Sequence, residues 1–430
     1  MNDLINIFVS NNPNLRWVLL AVILICTNSA LVGGFAFLRK RSLAGDAVSH
    51  AILPGICLAF MFTASKNPFY LLIGAFVSGW IALLFIDFVV QHTKLKPDTA
   101  LSLSLSIFYG FGILLLTSIQ HSGNASQAGL DKFLFGKAAA MVAEDVYVFG
   151  SFSIILIFIT ILLFKPLKIL CFDEQYAEVL GLPVKKLHLL LSILMVFSIA
   201  IGIQAVGVVL MAALLITPSA SSRYWTNNLT FLLILSVVFS VFAGILGTFV
   251  SYQIPKMPTG PWIVFILSTI TIISLLIGKE KGILRQSILQ KRNQSKILTE
   301  NILKALYRLG EKDSQFLQKR SLSNILEVRK FDFDELKKGI KKLNKQNLVN
   351  FVGDSVWLTK EGLEEGKRIT RIHRLWEVYL TKVIKLPSDH VHDDAEAIEH
   401  IITPEIEAEL LKKLDNPSSD PHNEPIPYSK

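Results

Sequence analysis

The chain has 430 residues, of which 51% are hydrophobic and 18% charged, and its formal net charge at pH 7 is +9. These averages hide a division: residues 1–278 carry 15 Lys and Arg and 10 Asp and Glu, whereas residues 279–430 carry the other 28 and 24. Soluble globular proteins are about 25% charged. The composition therefore predicts a membrane body followed by a soluble appendage, and it excludes a single soluble enzyme, a secreted disulfide scaffold and a disordered tail.

Apolar segments follow one another from residue 15 to residue 278, and we count nine of them. A membrane-spanning helix needs about 20 apolar residues. The segments near 47–65 and 205–221 are short and contain helix breakers, Pro54 with Gly55 in the first and Pro218 in the second. The pattern predicts an all-α polytopic domain over residues 1–278, embedded as a multi-pass protein in the plasma membrane.

Basic residues predict the orientation of this domain. With nine crossings, one set of loops holds ten Lys and Arg and the opposite set holds five. Because Lys and Arg concentrate in cytoplasmic loops, we expect the N-terminus outside the cell and the C-terminal appendage in the cytoplasm.

Two ionisable residues lie four positions apart inside a predicted membrane segment, Asp46 and His50. An intramembrane charge costs about 2.5–3.5 kcal/mol at a helix centre on insertion scales. On a helix both side chains share one face, and a carboxylate with an imidazole can bind a divalent first-row metal. The alternative is a helix N-cap aspartate beside a buried, hydrogen-bonded histidine.

Three motifs in the membrane body resemble the zinc, manganese and iron class of ABC-transporter permeases. The first is GDAVSHAILPG at residues 45–55, which contains Asp46 and His50. The second, DEQYAEVLGL at residues 173–182, resembles the cytoplasmic coupling helix of that class. The third, GVVLMAALLITP at residues 207–218, resembles its late apolar motif.

The resemblance covers about residues 15–278 and implies roles for individual residues. Asp46 and His50 become ligands on a metal transport path, and Ala177, Glu178 and Gly181 become part of the ATPase-coupling segment. The four-residue spacing of Ala177 and Gly181 predicts close helix packing there. The alternative is an ordinary surface helix.

The same resemblance implies partner chains. The phosphate-binding pattern G-x-x-x-x-G-K-[ST] does not occur in the sequence, so we expect this chain to bind no nucleotide and to be no enzyme. ATP hydrolysis is then expected in a separate ATPase subunit. A second permease subunit, identical or different, and an extracytoplasmic metal-binding protein complete the implied assembly.

The appendage divides by charge. Residues 279–298 form a basic juxtamembrane linker suited to anionic lipid headgroups. Residues 299–370 read as three helices followed by a hairpin, which predicts an α+β winged helix-turn-helix domain. Residues 371–430 follow as a helical domain, and from residue 387 onward the net charge is −8.

Lysines crowd the polar side of the third predicted helix of the winged-helix domain. They are Lys337, Lys338, Lys341, Lys342 and Lys345. They suit DNA, whereas Asp332, Asp334 and Glu335 at the start of the same helix would meet phosphates unfavourably. Direct DNA binding and a solvated lysine face both remain open.

Residues 371–430 carry six candidate metal ligands on two predicted helices. They are His373, Glu377, His392, Glu396, Glu399 and His400, the last four spaced to share one helical face. Such nitrogen and oxygen donors can make two metal sites or one shared site. The alternative is a set of salt bridges on solvated helices.

The appendage, with its tail DPHNEPIP at residues 420–427, resembles the metal-dependent repressors of the diphtheria-toxin-repressor and manganese-transport-regulator type. The resemblance implies that the six residues are ligands, joined by Asn301, and that the domain dimerises. Where manganese-type members have a second acid, this chain has Lys304, which cannot bind a metal while charged. Nitrogen and oxygen donors without thiolate favour Mn²⁺ or Fe²⁺, with Zn²⁺ also open.

We therefore expect the permease subunit of an ATP-driven manganese, iron or zinc importer, fused to a cytoplasmic metal-sensing regulator. The rival hypothesis is a membrane-tethered, metal-dependent transcription regulator that binds DNA.

Overall fold

The computed structural model describes residues 13–39, 42–65, 67–121, 141, 143–254, 257–387, 396 and 398–428. It forms two compact units, Met1–Arg285 and Gln286–Lys430. The first unit is helical throughout its described part, and the second combines helices with a small sheet. The expected fold class, a polytopic all-α domain followed by an α+β winged-helix domain, is confirmed.

Twelve helices make up the described part of the first unit. They are α1 (Pro13–Leu38), α2 (Ser42–Ala51), α3 (Leu53–Thr63), α4 (Pro68–His92), α5 (Pro97–His121), α6 (Ala143–Leu162), α7 (Phe164–Phe172), α8 (Glu174–Val179), α9 (Val184–Val206), α10 (Val208–Arg223), α11 (Leu229–Gln253) and α12 (Thr259–Ile277).

Within the described residues, eight helical segments are long and apolar enough to cross a bilayer. The helices α2 and α3 together make one of them. The remaining predicted segment, 205–221, forms α10, which has 16 residues and lies among α1, α2, α9, α11 and α12. Pro218 stands inside this helix. A helix of this length is about 24 Å long, shorter than the hydrocarbon core of about 30 Å.

The outer surface of the first unit is apolar. On α4, Ile73, Val77, Ile81, Leu84 and Phe88 recur every three or four residues and are 46–58% exposed. Such a stripe would be unfavourable in water and is what a helix presents to lipid. The inner faces of α1, α2 and α9 are closely packed and contain buried Ser and Asn side chains.

Gly55, which follows the helix break between α2 and α3, allows α3 and α4 to approach closely. The helical hydrogen-bonding pattern is interrupted at Ile52, and Pro54 stands in the first turn of α3. A Cβ atom added at Gly55 would lie 2.0 Å from the Gly74 carbonyl oxygen on α4. Only glycine therefore permits this backbone contact.

The second unit contains five helices, three strands and a 3₁₀ turn in its described part. They are α13 (Ile283–Asp313, which begins in the first unit), β1 (Arg320–Ser321), α14 (Leu322–Val328), α15 (Phe333–Lys345), β2 (Val349–Val352), β3 (Ser355–Leu358), α16 (Lys360–Lys382), the turn Glu399–Ile401 and α17 (Pro404–Leu414). Most of the predicted linker is helical, because residues 283–298 form the first half of α13.

The winged helix has the predicted order. The antiparallel sheet runs β1–β3–β2, and Phe351 pairs with Val356 across the hairpin. Leu336, Ile340 and Leu343 are fully buried on α15 and pack with residues of α13 and the sheet. Apolar residues recur every three to four positions on α15, so one face of this helix must pack against the core. This pattern explains why the prediction from the sequence agrees with the structure.

Candidate functional site

Asp46 and His50 lie on α2 with their side chains on the same side of the helix. The Asp46 Oδ1 atom is 3.7 Å from the His50 Nε2 atom, and the two side chains are 48% and 20% exposed. The N-cap alternative for Asp46 is wrong, because α2 begins at Ser42. Within the described part of the chain, the buried His50 Nδ1 atom has no hydrogen-bond partner. The pair therefore offers oxygen and nitrogen donors to a cation.

The predicted coupling segment is a six-residue helix, α8. Asp173 caps it by accepting a hydrogen bond from the Tyr176 backbone N–H at 2.8 Å. Ala177 is fully buried and Glu178 is exposed. Two apolar side chains point outward, since Tyr176 is 53% and Val179 is 84% exposed.

The predicted packing role of Gly181 is wrong. The helix ends at Val179, and a Cβ atom added at Gly181 would meet nothing within 4 Å. The residue instead has a φ of +75°, a conformation that costs other L-residues roughly 1–2 kcal/mol. Gly181 therefore serves the turn that leads from α8 toward α9.

In the second unit, a buried lysine and a buried glutamate form an ion pair between α13 and the 3₁₀ turn. The Lys304 ammonium donates to Glu399 Oε1 at 3.0 Å and to Oε2 at 2.8 Å, and the two side chains are 2% and 0% exposed. Residue 304 thus lies at the centre of the predicted metal cluster.

His373 extends this ion pair onto α16. Its Nδ1 atom lies 2.5 Å from Glu399 Oε2 and its Nε2 atom lies 3.0 Å from Glu377 Oε1. All three side chains are at most 2% exposed. Both ring nitrogens of His373 are engaged, and a histidine needs a free nitrogen lone pair to bind a metal.

These contacts shift two pKa values. Burial lowers the pKa of Lys304 to about 8, and the neighbouring Glu399 charge offsets only part of that effect. Burial would raise the pKa of Glu399, but the hydrogen bond with His373 and the Lys304 charge outweigh it and hold that pKa below its ordinary value.

His400 binds a different partner, one that sequence reasoning missed. Its Nδ1 atom is 2.6 Å from Glu300 Oε2, and Lys296 donates to the His400 carbonyl oxygen at 2.9 Å. Within the described residues, the buried His400 Nε2 and Asn301 Oδ1 atoms lack hydrogen-bond partners. Glu300 Oε1 also lies 3.6 Å from the Nζ atom of Lys296, four residues earlier on α13, and that spacing was the available signal.

Glu396 pairs with Arg329, at the end of α14. Glu396 and Ile398 are helical, whereas Glu399–Ile401 forms a 3₁₀ turn, so the predicted α-helix does not continue through Glu399 and His400. His392 lies outside the described residues. The cavity beside Glu396 has a volume of about 260 Å³ and is lined by Asn301, Lys304, Ala305, Arg308, Val328, Arg329, Lys330 and Glu396.

The cluster does not fit a metal ion as it stands. Among the residues that the structure describes, no group of three or more His, Cys, Asp or Glu side chains is arranged to hold one. The candidate ligands bind each other and Lys304 instead. Salt bridges of the kind that the alternative named are present among the described candidates, although these pairs are buried rather than solvated.

Arg374, next to His373, binds the C-terminal tail. Its guanidinium donates to both carboxylate oxygens of Glu311, at 2.8 and 2.9 Å, and to the Pro425 carbonyl oxygen at 2.7 Å. Asp420 Oδ2 lies 3.6 Å from its Nε atom. Sequence reasoning assigned no role to Arg374, although its place beside a predicted ligand was a signal.

The lysine-rich helix α15 begins with acids, as the sequence indicated. Asp332 caps the helix by accepting hydrogen bonds from the Asp334 and Glu335 backbone N–H groups at 3.0 and 3.1 Å. The Lys342 ammonium donates a hydrogen bond to Ser295 Oγ at 2.7 Å, and the Nζ atom of Lys337 lies 3.9 Å from Asp354 Oδ1. The remaining three lysines, Lys338, Lys341 and Lys345, are partly or fully exposed.

Two family models match the chain. The ABC 3 transport family matches residues 11–278. The iron dependent repressor metal binding and dimerisation domain matches residues 359–428. Both parts of the resemblance found in the sequence are thereby confirmed.

Individual relatives agree with these families. The manganese transport system membrane protein MntC of Bacillus subtilis (strain 168) is 35% identical over 376 residues, 87% of this chain and 86% of that protein. The zinc transport system membrane protein TroC of Treponema pallidum (strain Nichols) is 39% identical over 300 residues, 70% and 99% of the two chains. The solved structure of PsaBC from Streptococcus pneumoniae in complex with Fab matches with 31% identity and a TM-score of 0.58, covering 66% of this chain and 99% of that one.

Proposed function

The chain belongs to the ABC 3 transport family, the membrane permeases of ATP-driven metal importers, and from that premise we propose that its substrate is Mn²⁺ or Zn²⁺. The relatives named above are manganese and zinc transport proteins. The observation that carries the proposal is the Asp46–His50 pair, which offers two donors inside a membrane span. Carboxylate oxygen and imidazole nitrogen suit both ions.

The pair has a physical reason to act on the path. A divalent ion that enters the membrane loses hydration water and needs replacement donors, because an isolated charge in an apolar medium is very costly. The His50 Nδ1 atom, which lacks a hydrogen-bond partner among the described residues, and the partly exposed Asp46 carboxylate are available for this purpose. The ion is the cargo, so the site must release it as well as bind it.

The proposed partners are those of an ABC importer. A separate ATPase docks at α8, whose outward Tyr176 and Val179 side chains would bury apolar surface in the contact. Ala177 anchors this helix to the membrane domain and Glu178 is exposed for contact. A second permease subunit and an extracytoplasmic metal-binding protein complete the assembly, and the second unit lies in the cytoplasm.

Uptake in proteoliposomes tests the transport function. The chain is reconstituted with its ATPase, and accumulation of Mn²⁺, Zn²⁺ and Fe²⁺ is measured with and without ATP. We expect ATP-dependent accumulation of Mn²⁺ or Zn²⁺ in the presence of the binding protein. Equal accumulation without ATP, or none of any ion, would contradict the proposal.

We propose that the second unit regulates this transport through the cluster formed by His373, Glu377, Glu399 and His400, with Asn301, His392 and Glu396 as further candidate ligands. The cluster joins α13 to α16 through Lys304 and Glu399, so a change in its ion pairs would alter helix packing. Divalent metal is the proposed signal.

The rival function is DNA binding by the same unit. The observation in its favour is the lysine row of α15 that reaches solvent, Lys338, Lys341 and Lys345. Against it, Asp332, Asp334 and Glu335 place negative charge at the helix end that should approach DNA. Metal-dependent binding of the purified full chain to promoter DNA of its own operon would favour the rival, and its absence would favour control of transport.

A further inference from the structure

Lys304 brings a positive charge into the place where the repressor-like domain would need a metal ion. The ammonium is 2% exposed and donates to both oxygens of Glu399. A carboxylate that binds a buried ammonium with both oxygens has its charge already neutralised.

The other candidate donors are also occupied. Glu399 and Glu377 engage the two ring nitrogens of His373, and Glu300 engages the Nδ1 atom of His400. A metal ion would have to break several of these contacts before it gained its own ligands. Among the buried side-chain atoms of the described cluster members, His400 Nε2 and Asn301 Oδ1 are the two that lack hydrogen-bond partners.

The charge around the cluster also disfavours a cation. The cavity of about 260 Å³ beside it is lined by four basic side chains, Lys304, Arg308, Arg329 and Lys330. Among the described lining residues, Glu396 is the acidic one, and it is paired with Arg329. A divalent cation that approached through this cavity would meet mainly positive charge.

We propose that the Lys304 ammonium is the resident cation of this site, holding Glu399 in the position that a divalent metal ion would otherwise occupy. The proposal rests on the regulatory role assigned above to the same cluster. Its consequence is that the second unit keeps its fold without metal. Metal binds only by displacing the ammonium from Glu399.

Displacement has a large effect because the ammonium is buried. Removing the partner of a buried charge is strongly unfavourable. We therefore expect the site with Lys304 to bind metal about 100-fold or more weakly than the same site without the ammonium. The unit would then respond to excess metal rather than to trace metal. A regulator that restrains an importer needs such a high threshold.

The experiment uses the full chain in detergent, with Asp46→Ala and His50→Ala introduced so that the transport path does not contribute. Mn²⁺ affinity is measured by calorimetry, and unfolding of the second unit is followed with Mn²⁺ or with a chelator. The variants are Lys304→Met, which removes the charge, Lys304→Arg, which keeps it, and Lys304→Glu, which reverses it. Lys338→Met, which changes a lysine of α15 outside the cluster, is the matched control.

The chain that keeps Lys304, the Lys304→Arg variant and the Lys338→Met control should all bind Mn²⁺ weakly. Each of them should also melt at the same temperature with metal and with chelator. Lys304→Met should bind Mn²⁺ about 100-fold more tightly. Lys304→Glu places two carboxylates together and should fold stably only with Mn²⁺, which keeps the test decisive if Lys304→Met does not fold.

Two results would overturn the proposal. One is that the chain with Lys304 binds Mn²⁺ as tightly as Lys304→Met or melts earlier with chelator. The other is that Lys304→Glu gains no stability from Mn²⁺. Uptake by the unchanged chain and by Lys304→Met, with Asp46 and His50 restored, is measured in parallel. Absence of uptake by the unchanged chain would contradict the transport function and not this proposal.

Discussion

The imidazole of His50 lies edge to face against the phenol ring of Tyr109, with the ring centroids 4.9 Å apart. Tyr109 belongs to α5 and His50 to α2, so the contact fixes the imidazole between two helices. Within the described residues it leaves the His50 Nδ1 atom without a hydrogen bond. A held ring with an unused nitrogen is a better metal ligand than a mobile one, because less rotamer freedom is lost on binding.

Removing either donor of this pair should stop transport. We expect Asp46→Ala and His50→Ala each to lower metal uptake at least tenfold, since loss of even a supporting group at a metal site costs about 10–100-fold. Uptake in proteoliposomes checks this. Asp98→Ala and His121→Ala, which change exposed residues of the same types at the two ends of α5, should transport normally. Uptake at the unchanged rate by Asp46→Ala or His50→Ala would make the pair structural.

The orientation can be measured directly. Reporter fusions after Asn67 and after Lys96 should report opposite compartments, the first outside and the second inside the cell, because α4 lies between them as one span. A fusion at Lys430 should report the cytoplasm. A C-terminus outside the cell would contradict the nine-crossing topology and the intracellular regulator together.

The outward apolar side chains of α8 should contribute to ATPase binding. We expect Val179→Asp to weaken association with the ATPase about tenfold or more, because a charge would replace apolar surface in the contact. Co-purification and ATP-driven uptake measure this. The control is Val352→Asp, which alters an apolar side chain of β2 in the second unit that is 69% exposed. If both variants kept full ATPase binding, α8 would not be the docking helix.

The tail of the second unit should depend on Arg374. Arg374→Ala leaves Asp420 buried and Glu311 without its paired hydrogen bonds, and breaking a buried ion pair costs about 3–5 kcal/mol. Hydrogen exchange checks this locally: the His422 and Glu424 amides, which donate to Asp420 at 2.8 Å, should lose protection. Arg292→Ala, an exposed residue of α13, should leave them protected. Unchanged exchange in Arg374→Ala would show that the tail is held by other contacts.

Local sequence patterns by themselves predicted much of the fold of this protein. Hydropathy alone separates a membrane body from a soluble unit, since about 20 consecutive apolar residues have few other stable environments. The four-residue spacing of Asp46 and His50 placed them on one side of a helix, because that depends only on the helical repeat. The apolar period of Leu336, Ile340 and Leu343 likewise predicted the buried face of α15.

Only the tertiary structure decided which charged groups meet. Lys304 and Glu399 are 95 residues apart, and Arg374 and Glu311 are 63 apart. Their pairing depends on how α13, α16 and the 3₁₀ turn pack, and helical periodicity carries no information about partners on other elements. Gly181 likewise had the spacing of a packing residue but serves a turn with positive φ. Spacing predicts a shared face only where a helix continues, and burial in the folded chain determines which charges must be paired.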